Sequence, residues 1–112
     1  MRLTPARLES VYRMLLNWPP FCKRKMPAKM KFRVSKSTQM YGSYEVQCGA
    51  HEIAISSAMC KTMVSVVDTM AHEMVHAALE RSGCSDHGNH DSEFGALAAE
   101  VCNTLGFNFK EF

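Results

Sequence analysis

Residues 65–83 read SVVDTMAHEMVHAALERSG, and this stretch carries the strongest fold signal in the chain. Its apolar residues recur every three or four positions, a period typical of a helix that lays one face on a core. Ser65 stands in the position of an N-cap, with Asp68 three residues later as in a capping box. Gly83 follows as a C-terminal stop. We therefore predict one long amphipathic helix between Ser65 and Gly83.

The centre of this helix carries the motif His-Glu-x-x-His at residues 72–76. In a helix, His72 and His76 lie one turn apart on the same face, so both imidazoles can reach one ion. Zinc binds neutral histidine nitrogens and keeps a position for water where the protein supplies three ligands. Glu73 would take a proton from that water as it attacks a carbonyl and return it to the leaving amine. The motif therefore predicts a zinc-dependent hydrolase.

The third zinc ligand must come from elsewhere in the chain, and three residues are candidates. The metzincin arrangement is excluded because Leu79 and Ser82 occupy the positions of its glycine and third histidine. His90 is the favoured candidate, since it immediately precedes the next predicted helix, whose packing would aim it at the ion. The alternatives are His87 in the same loop and Glu100 on that helix.

Two further helices are predicted, one near each end of the chain. Thr4 and Pro5 are typical of a helix start, and the sequence Asn-Trp-Pro-Pro at residues 17–20 ends that helix. The last helix begins at Asp91 or Ser92 and stops at Gly106. The aromatic tail at residues 107–112 is expected to pack on the body.

Three short strands are predicted between the first helix and the helix of residues 65–83. Alternating polar and apolar residues favour strands at 31–35, 44–48 and 51–56. A turn at Tyr41-Gly42 and another at Gly49-Ala50 favour an antiparallel meander. We therefore expect an α+β fold, with a short three-stranded antiparallel sheet between helices.

Length and composition indicate one small globular domain. The chain has 112 residues, of which 46% are hydrophobic and 21% are charged. No run reaches the roughly 20 apolar residues of a membrane span, and the N-terminus has no apolar signal segment. The five scattered cysteines form no Cys-x-x-Cys pair, which argues against a disulfide framework and a zinc ribbon. We expect a cytoplasmic protein with reduced thiols; the sequence does not predict its oligomeric state.

The small net charge of +2 hides a strong asymmetry between the two parts of the chain. Residues 1–40 hold ten basic and one acidic side chain, whereas residues 41–112 hold three basic and ten acidic ones. A basic surface of this kind binds phosphate backbones by releasing counterions. We therefore predict DNA contact by the cluster Lys23, Arg24, Lys25, Lys29 and Lys31. The alternative is a solvated face that balances the acidic half.

The chain resembles the SprT-like zinc metalloproteases. Residues 67–77, VDTMAHEMVHA, look like the metal helix of that family, including the acidic residue before the motif. Residues 90–94, HDSEF, resemble its second motif, a histidine followed closely by a phenylalanine that opens the next helix. The strand at residues 52–56 falls where the family has its last strand before the metal helix. The resemblance covers roughly residues 8–107.

This resemblance implies a zincin-like fold and a complete set of site residues. His72, His76 and His90 would be the zinc ligands, and Glu73 the catalytic glutamate. Family members include proteases that cleave proteins bound or crosslinked to DNA, with DNA contact promoting activity. Many members also carry a C-terminal cysteine zinc ribbon, so we expect residues 1–112 to form a single SprT-like domain without it.

The sequence thus predicts a zinc metalloendopeptidase that cleaves proteins, including DNA-associated ones, and that can work at the nucleoid. If the strand containing Ile53 is a sheet edge, a peptide substrate could add to it as another strand. Tyr41, Tyr44 and His87 are candidate donors to the developing oxyanion. One alternative is a catalytically silent, zinc-stabilised regulator that binds DNA or protein. A second alternative is a hydrolase of another amide bond.

Overall fold

The computed structural model describes residues 2–19, 21–23, 26–27, 29–81 and 92–106, and it has the expected α+β composition. The elements run in the order helix, strand, strand, strand, helix, helix, with a short 3-10 helix at Phe21–Lys23 after the first helix. Their bounds are α1 Pro5–Leu16, β1 Met30–Ser35, β2 Gly42–Gln47, β3 Ala50–Ser56, α2 Met63–Arg81 and α3 Ser92–Leu105.

The sheet is mixed, so the prediction of an antiparallel meander is wrong. The strand order is β1-β3-β2, with β1 parallel and β2 antiparallel to β3. The central position falls to the most apolar strand, in which Ile53, Ala54 and Ile55 are all buried and which has a neighbouring strand on each edge. The connection at residues 36–49 contains β2 and is long enough for the crossover that a parallel pair requires.

One face of the sheet packs on the helices and the other is polar. Phe32 of β1 and Tyr44 of β2 flank Ile53 across the ladder; Ile53 belongs to the core, and the other two are partly buried and pack against it. Tyr12 of α1 meets the Phe32 ring edge-on, with ring centroids 5.4 Å apart. On the opposite face, Arg33 Nε lies 3.2 Å from Glu52 Oε1 in a half-exposed ion pair. This layering places α2 directly behind the sheet.

Side-chain hydrogen bonds cap the N-termini of α1 and α2. Thr4 caps α1 by accepting from the Arg7 N–H at 3.2 Å, and Pro5 takes the first helical position, as predicted. The N-cap of α2 is Thr62 rather than Ser65. Thr62 Oγ1 accepts from the Ser65 N–H at 3.1 Å, which satisfies a donor that has no partner inside the helix. Helix α2 therefore begins at Met63, one turn earlier than the spacing predicts.

The core lies between the sheet and the three helices. Met70 and Met74 of α2 are fully buried in it. The Tyr12 hydroxyl donates to the Pro27 carbonyl at 2.8 Å and ties α1 to the segment before β1. Four cysteines fall in the described ranges, and all four are free thiols. None of the described helices is both long and apolar enough to cross a membrane.

Candidate active site

The two histidines of the motif meet on one face of α2. The ring centroids of His72 and His76 lie 5.2 Å apart, with their planes at 66°. The four-residue spacing within a continuous helix produces this proximity. The expected pairing of the two imidazoles is therefore present in the fold.

The middle of α2 buries polar side chains in an apolar environment. Glu73 keeps 6% of its surface exposed and His76 keeps 8%, whereas their neighbours Met74 and Val75 are fully buried. Burial of polar groups in such surroundings costs free energy unless it is compensated. The structure therefore places Glu73 and His76 on the inward side of α2, and His72 is partly exposed.

Burial also changes the acidity of the Glu73 carboxyl group. Loss of solvent raises the pKa of Glu73 to about 7, because the charged form is poorly stabilised in this environment. No hydrogen bond or ion pair from the described part of the chain reaches this carboxylate. A carboxyl group with a pKa near neutrality can both accept and donate a proton at physiological pH.

A cavity of about 590 Å³ opens beside His72 and Glu73. Its walls come from the start of β2 and from successive turns of α2. The lining residues are Met40, Tyr41, Gly42, Ser65, Asp68, Thr69, His72 and Glu73. The cavity therefore joins the acidic and imidazole groups to one edge of the sheet.

The start of β2 is held tightly against α2 at this point. A Cβ atom on Gly42 would lie 2.7 Å from Thr69 Cγ2 and 2.8 Å from the Ala54 carbonyl oxygen. The backbone carbonyl of Tyr41 accepts from the Ser56 N–H at 2.8 Å, which fixes the residue before Gly42. Sequence reasoning identified Tyr41-Gly42 only as a turn and missed that glycine is required for close packing. The signal was the missing side chain itself.

The favoured third zinc ligand and one of its two alternatives lie outside the described residues. His90 and His87 both lie outside the described residues. Glu100 is exposed on α3, and within the described ranges no three His, Cys, Asp or Glu side chains are grouped to hold a metal ion. Glu100 therefore does not complete a site with His72 and His76 in this structure.

The predicted oxyanion donors occupy different environments. Tyr41 lines the cavity together with His72 and Glu73. Tyr44 is engaged elsewhere, because its hydroxyl lies 2.5 Å from His51 Nδ1 and the two rings stack. Of the two candidate tyrosines, Tyr41 and Tyr44, only Tyr41 lines the candidate site.

The predicted basic cluster is only partly covered by the described residues. Lys23, Lys29 and Lys31 are exposed, whereas Arg24 and Lys25 lie outside the described ranges. Lys31 alternates with buried Met30 along β1 and so projects from the polar face of the sheet. The three described lysines remain accessible to a ligand.

The family model described as SprT-like family matches residues 11–111, which include α2, α3 and all three strands. No curated protein matches the chain.

Proposed function

The chain belongs to the SprT-like family, and from this premise we propose that it is a zinc-dependent metalloendopeptidase. The observation that carries the proposal is the buried Glu73 carboxylate, which lies beside two paired imidazoles and faces a cavity. Buried acids of this kind are destabilising, so their presence favours a chemical role. The substrate is a protein or peptide.

The donor set of α2 fits zinc. His72 and His76 supply two imidazoles on one helix face, and we assign the third ligand to His90. Zinc bound there would act as a Lewis acid that polarises a water molecule and the scissile carbonyl. Two neutral nitrogens at this spacing are the usual beginning of such a site.

Glu73 moves the proton of the reaction. Its carboxylate accepts a proton from the attacking water as the oxygen forms a bond to the carbonyl carbon. The carbon–nitrogen bond then breaks, and the same carboxyl group gives the proton to the leaving amine. The position of Glu73, which is buried and lines the cavity together with His72, suits both transfers.

The substrate-binding edge is β2 and not the strand considered from the sequence. Ile53 belongs to β3, which is paired on both sides and offers no free edge. β2 is an edge strand of the sheet, and Gly42 at its start lines the cavity that contains His72. We propose that an extended peptide pairs with β2, so that main-chain hydrogen bonds position the scissile bond with little side-chain preference.

DNA contact is the second part of the proposal. Lys23, Lys29 and Lys31 are exposed on the N-terminal third, and we include Arg24 and Lys25 in the same surface. Binding of the phosphate backbone there would hold the protease close to DNA-associated proteins. This binding should weaken steeply as salt concentration rises, because each neutralised phosphate releases a counterion.

The deciding experiment replaces the proposed proton carrier. Glu73→Gln should retain zinc, because neither histidine is changed, and should lose cleavage of a disordered protein substrate. Glu9→Gln is the matched control, since Glu9 is exposed on α1 and should leave both zinc content and cleavage unchanged. Undiminished turnover by Glu73→Gln would refute the assignment, as would an unaltered protein that binds no zinc.

A further inference from the structure

Three helix ends meet around an apolar groove that the proposed function does not use. The groove has a volume of about 300 Å³. Its main walls are Met14 and Trp18 at the end of α1, Met63 and Val64 in the first turn of α2, and Thr104 and Leu105 in the last turn of α3. Thr104 is the one polar side chain among the described residues that line it.

The groove gathers most of the exposed apolar surface of the described chain. Six large apolar side chains are exposed among the described residues, and four of them, Met14, Trp18, Met63 and Val64, line the groove. Val64 is the most exposed, at 70%, although it belongs to a helix whose centre is buried. A contiguous apolar patch of this kind is typical of a surface that another segment or molecule covers.

The end of α3 points to the segment that covers it. Leu105 lines the groove, and Gly106 follows in the left-handed region with φ +80°. The Gly106 N–H donates to the Cys102 carbonyl at 2.8 Å, which ends the helix. The next residues, 107–112, read FNFKEF and lie outside the described ranges. Only Gly106 separates Phe107 from Leu105 in the sequence.

The size of the groove matches this segment. An apolar cavity of about 150 Å³ holds one benzene ring, so the groove has room for two. Phe107 and Phe109 are separated by Asn108, and in an extended chain they project to the same side. We propose that residues 107–109 occupy the groove, with both phenylalanine rings packed between Trp18 and Val64. The tail then binds the end of α3 to α1 and to the start of α2.

Trp18 reports on this contact, because it is the only tryptophan of the chain and is half exposed. In the full chain, Phe107→Ser combined with Phe109→Ser should shift the Trp18 emission to longer wavelength. The same variant should lose protection of Trp18 from quenching by acrylamide. Asn108→Ser is the matched control, since it keeps both rings, and it should leave emission and quenching unchanged.

A second measurement uses the unaltered chain and does not depend on the fold of a variant. Nuclear Overhauser contacts between the ring protons of Phe107 or Phe109 and the Val64 methyl groups should be present. Their absence would overturn the proposal, and so would an unchanged Trp18 emission in a folded double variant. An emission maximum of the unaltered chain that shifts on dilution would also overturn it, because the groove would then hold a second copy.

Discussion

Helix α2 departs from the usual hydrophobic pattern in two places and in opposite directions. Its first turn exposes apolar side chains, with Met63 at 51% and Val64 at 70%. Its middle buries polar ones, with Glu73 at 6% and His76 at 8%. Both departures lower the stability of an isolated domain. The first fits a surface that makes a contact, and the second fits a site that performs chemistry.

The two regions also differ in how their free-energy cost can be offset. An exposed apolar residue is stabilised as soon as another apolar group covers it, whatever the identity of that group. A buried carboxylate needs a specific hydrogen bond, a cation or a proton. Substitutions in the buried middle of α2 should therefore change stability and activity more, and more specifically, than substitutions in its exposed first turn.

The largest effect is expected from Glu73→Leu, which replaces a buried polar side chain of α2 with an apolar one. Cleavage should fall by about 10²–10⁴-fold, because the proton carrier is lost. The free energy of unfolding of the metal-free protein should rise by about 1–3 kcal/mol, since an uncompensated buried polar group is removed. Activity assays and urea denaturation measure the two effects. A variant that loses both activity and stability would indicate that Glu73 supports the fold.

The second prediction concerns Tyr12, a buried polar group whose hydroxyl does have a partner. Burial raises the pKa of Tyr12 to about 12, against 10 in the unfolded chain, while the neighbouring Arg13 cation opposes the shift. The neutral phenol is therefore favoured in the folded state. The corresponding stability is fully present below pH 10 and is lost as the pH rises from 10 to 12, by about 3 kcal/mol.

Denaturation at several alkaline pH values measures this contribution. Tyr12→Phe should flatten the loss of stability between pH 10 and 12, since it removes the ionisable hydroxyl. Tyr44→Phe is the control, because it removes a tyrosine hydroxyl but keeps Tyr12, and it should keep the alkaline loss that Tyr12 causes. An identical alkaline slope in Tyr12→Phe and the unaltered protein would contradict the assignment.

The third prediction tests the wall of the cavity beside the buried region. Gly42→Ala should lower the free energy of unfolding by about 1–3 kcal/mol, because the new methyl group overlaps a backbone oxygen that cannot move freely. Gly95→Ala is the matched control, since nothing lies within 4 Å of its Cβ position. In helix α3 that control should gain up to about 1 kcal/mol. Equal stability changes in the two variants would contradict the close packing of β2 on α2.

The smallest effect is expected for a polar pair at the protein surface, where polar side chains usually lie. Arg33 and Glu52 form a half-exposed ion pair on the polar face of the sheet. Arg33→Gln should change the free energy of unfolding by less than about 1 kcal/mol, and the difference should shrink in high salt. Thermal denaturation at two salt concentrations measures it. A large, salt-independent loss would mean that this face is covered in the folded protein.

The sequence predicted the elements of the fold better than their arrangement. The helical period and the Thr4-Pro5 start located α1 and α2, since both are local signals that the neighbouring residues determine. The strand segments were also found, but their order was not. Pairing of Met30 with His51 depends on which strand is buried deepest, and that is a property of the assembled core.

For the candidate site too, the local geometry could be predicted from the sequence but the packing could not. The spacing of His72 and His76 predicted their proximity, because helix geometry alone sets it. The burial of Glu73 and the approach of Gly42 to Thr69 could not be predicted, since both depend on how α2 lies against β2. The third ligand at His90 stays a prediction.

The strand order has a consequence for how the chain folds during synthesis. Both outer strands hydrogen-bond to β3, the last of the three to leave the ribosome. A nascent chain that ends before residue 56 therefore carries β1 and β2 with no central template, and their apolar residues stay accessible to water and to other chains. Sheet formation has to wait for β3, and non-local pairing of this kind slows folding. Chaperone contact should be most needed in that interval, just before the residues of α2 are added.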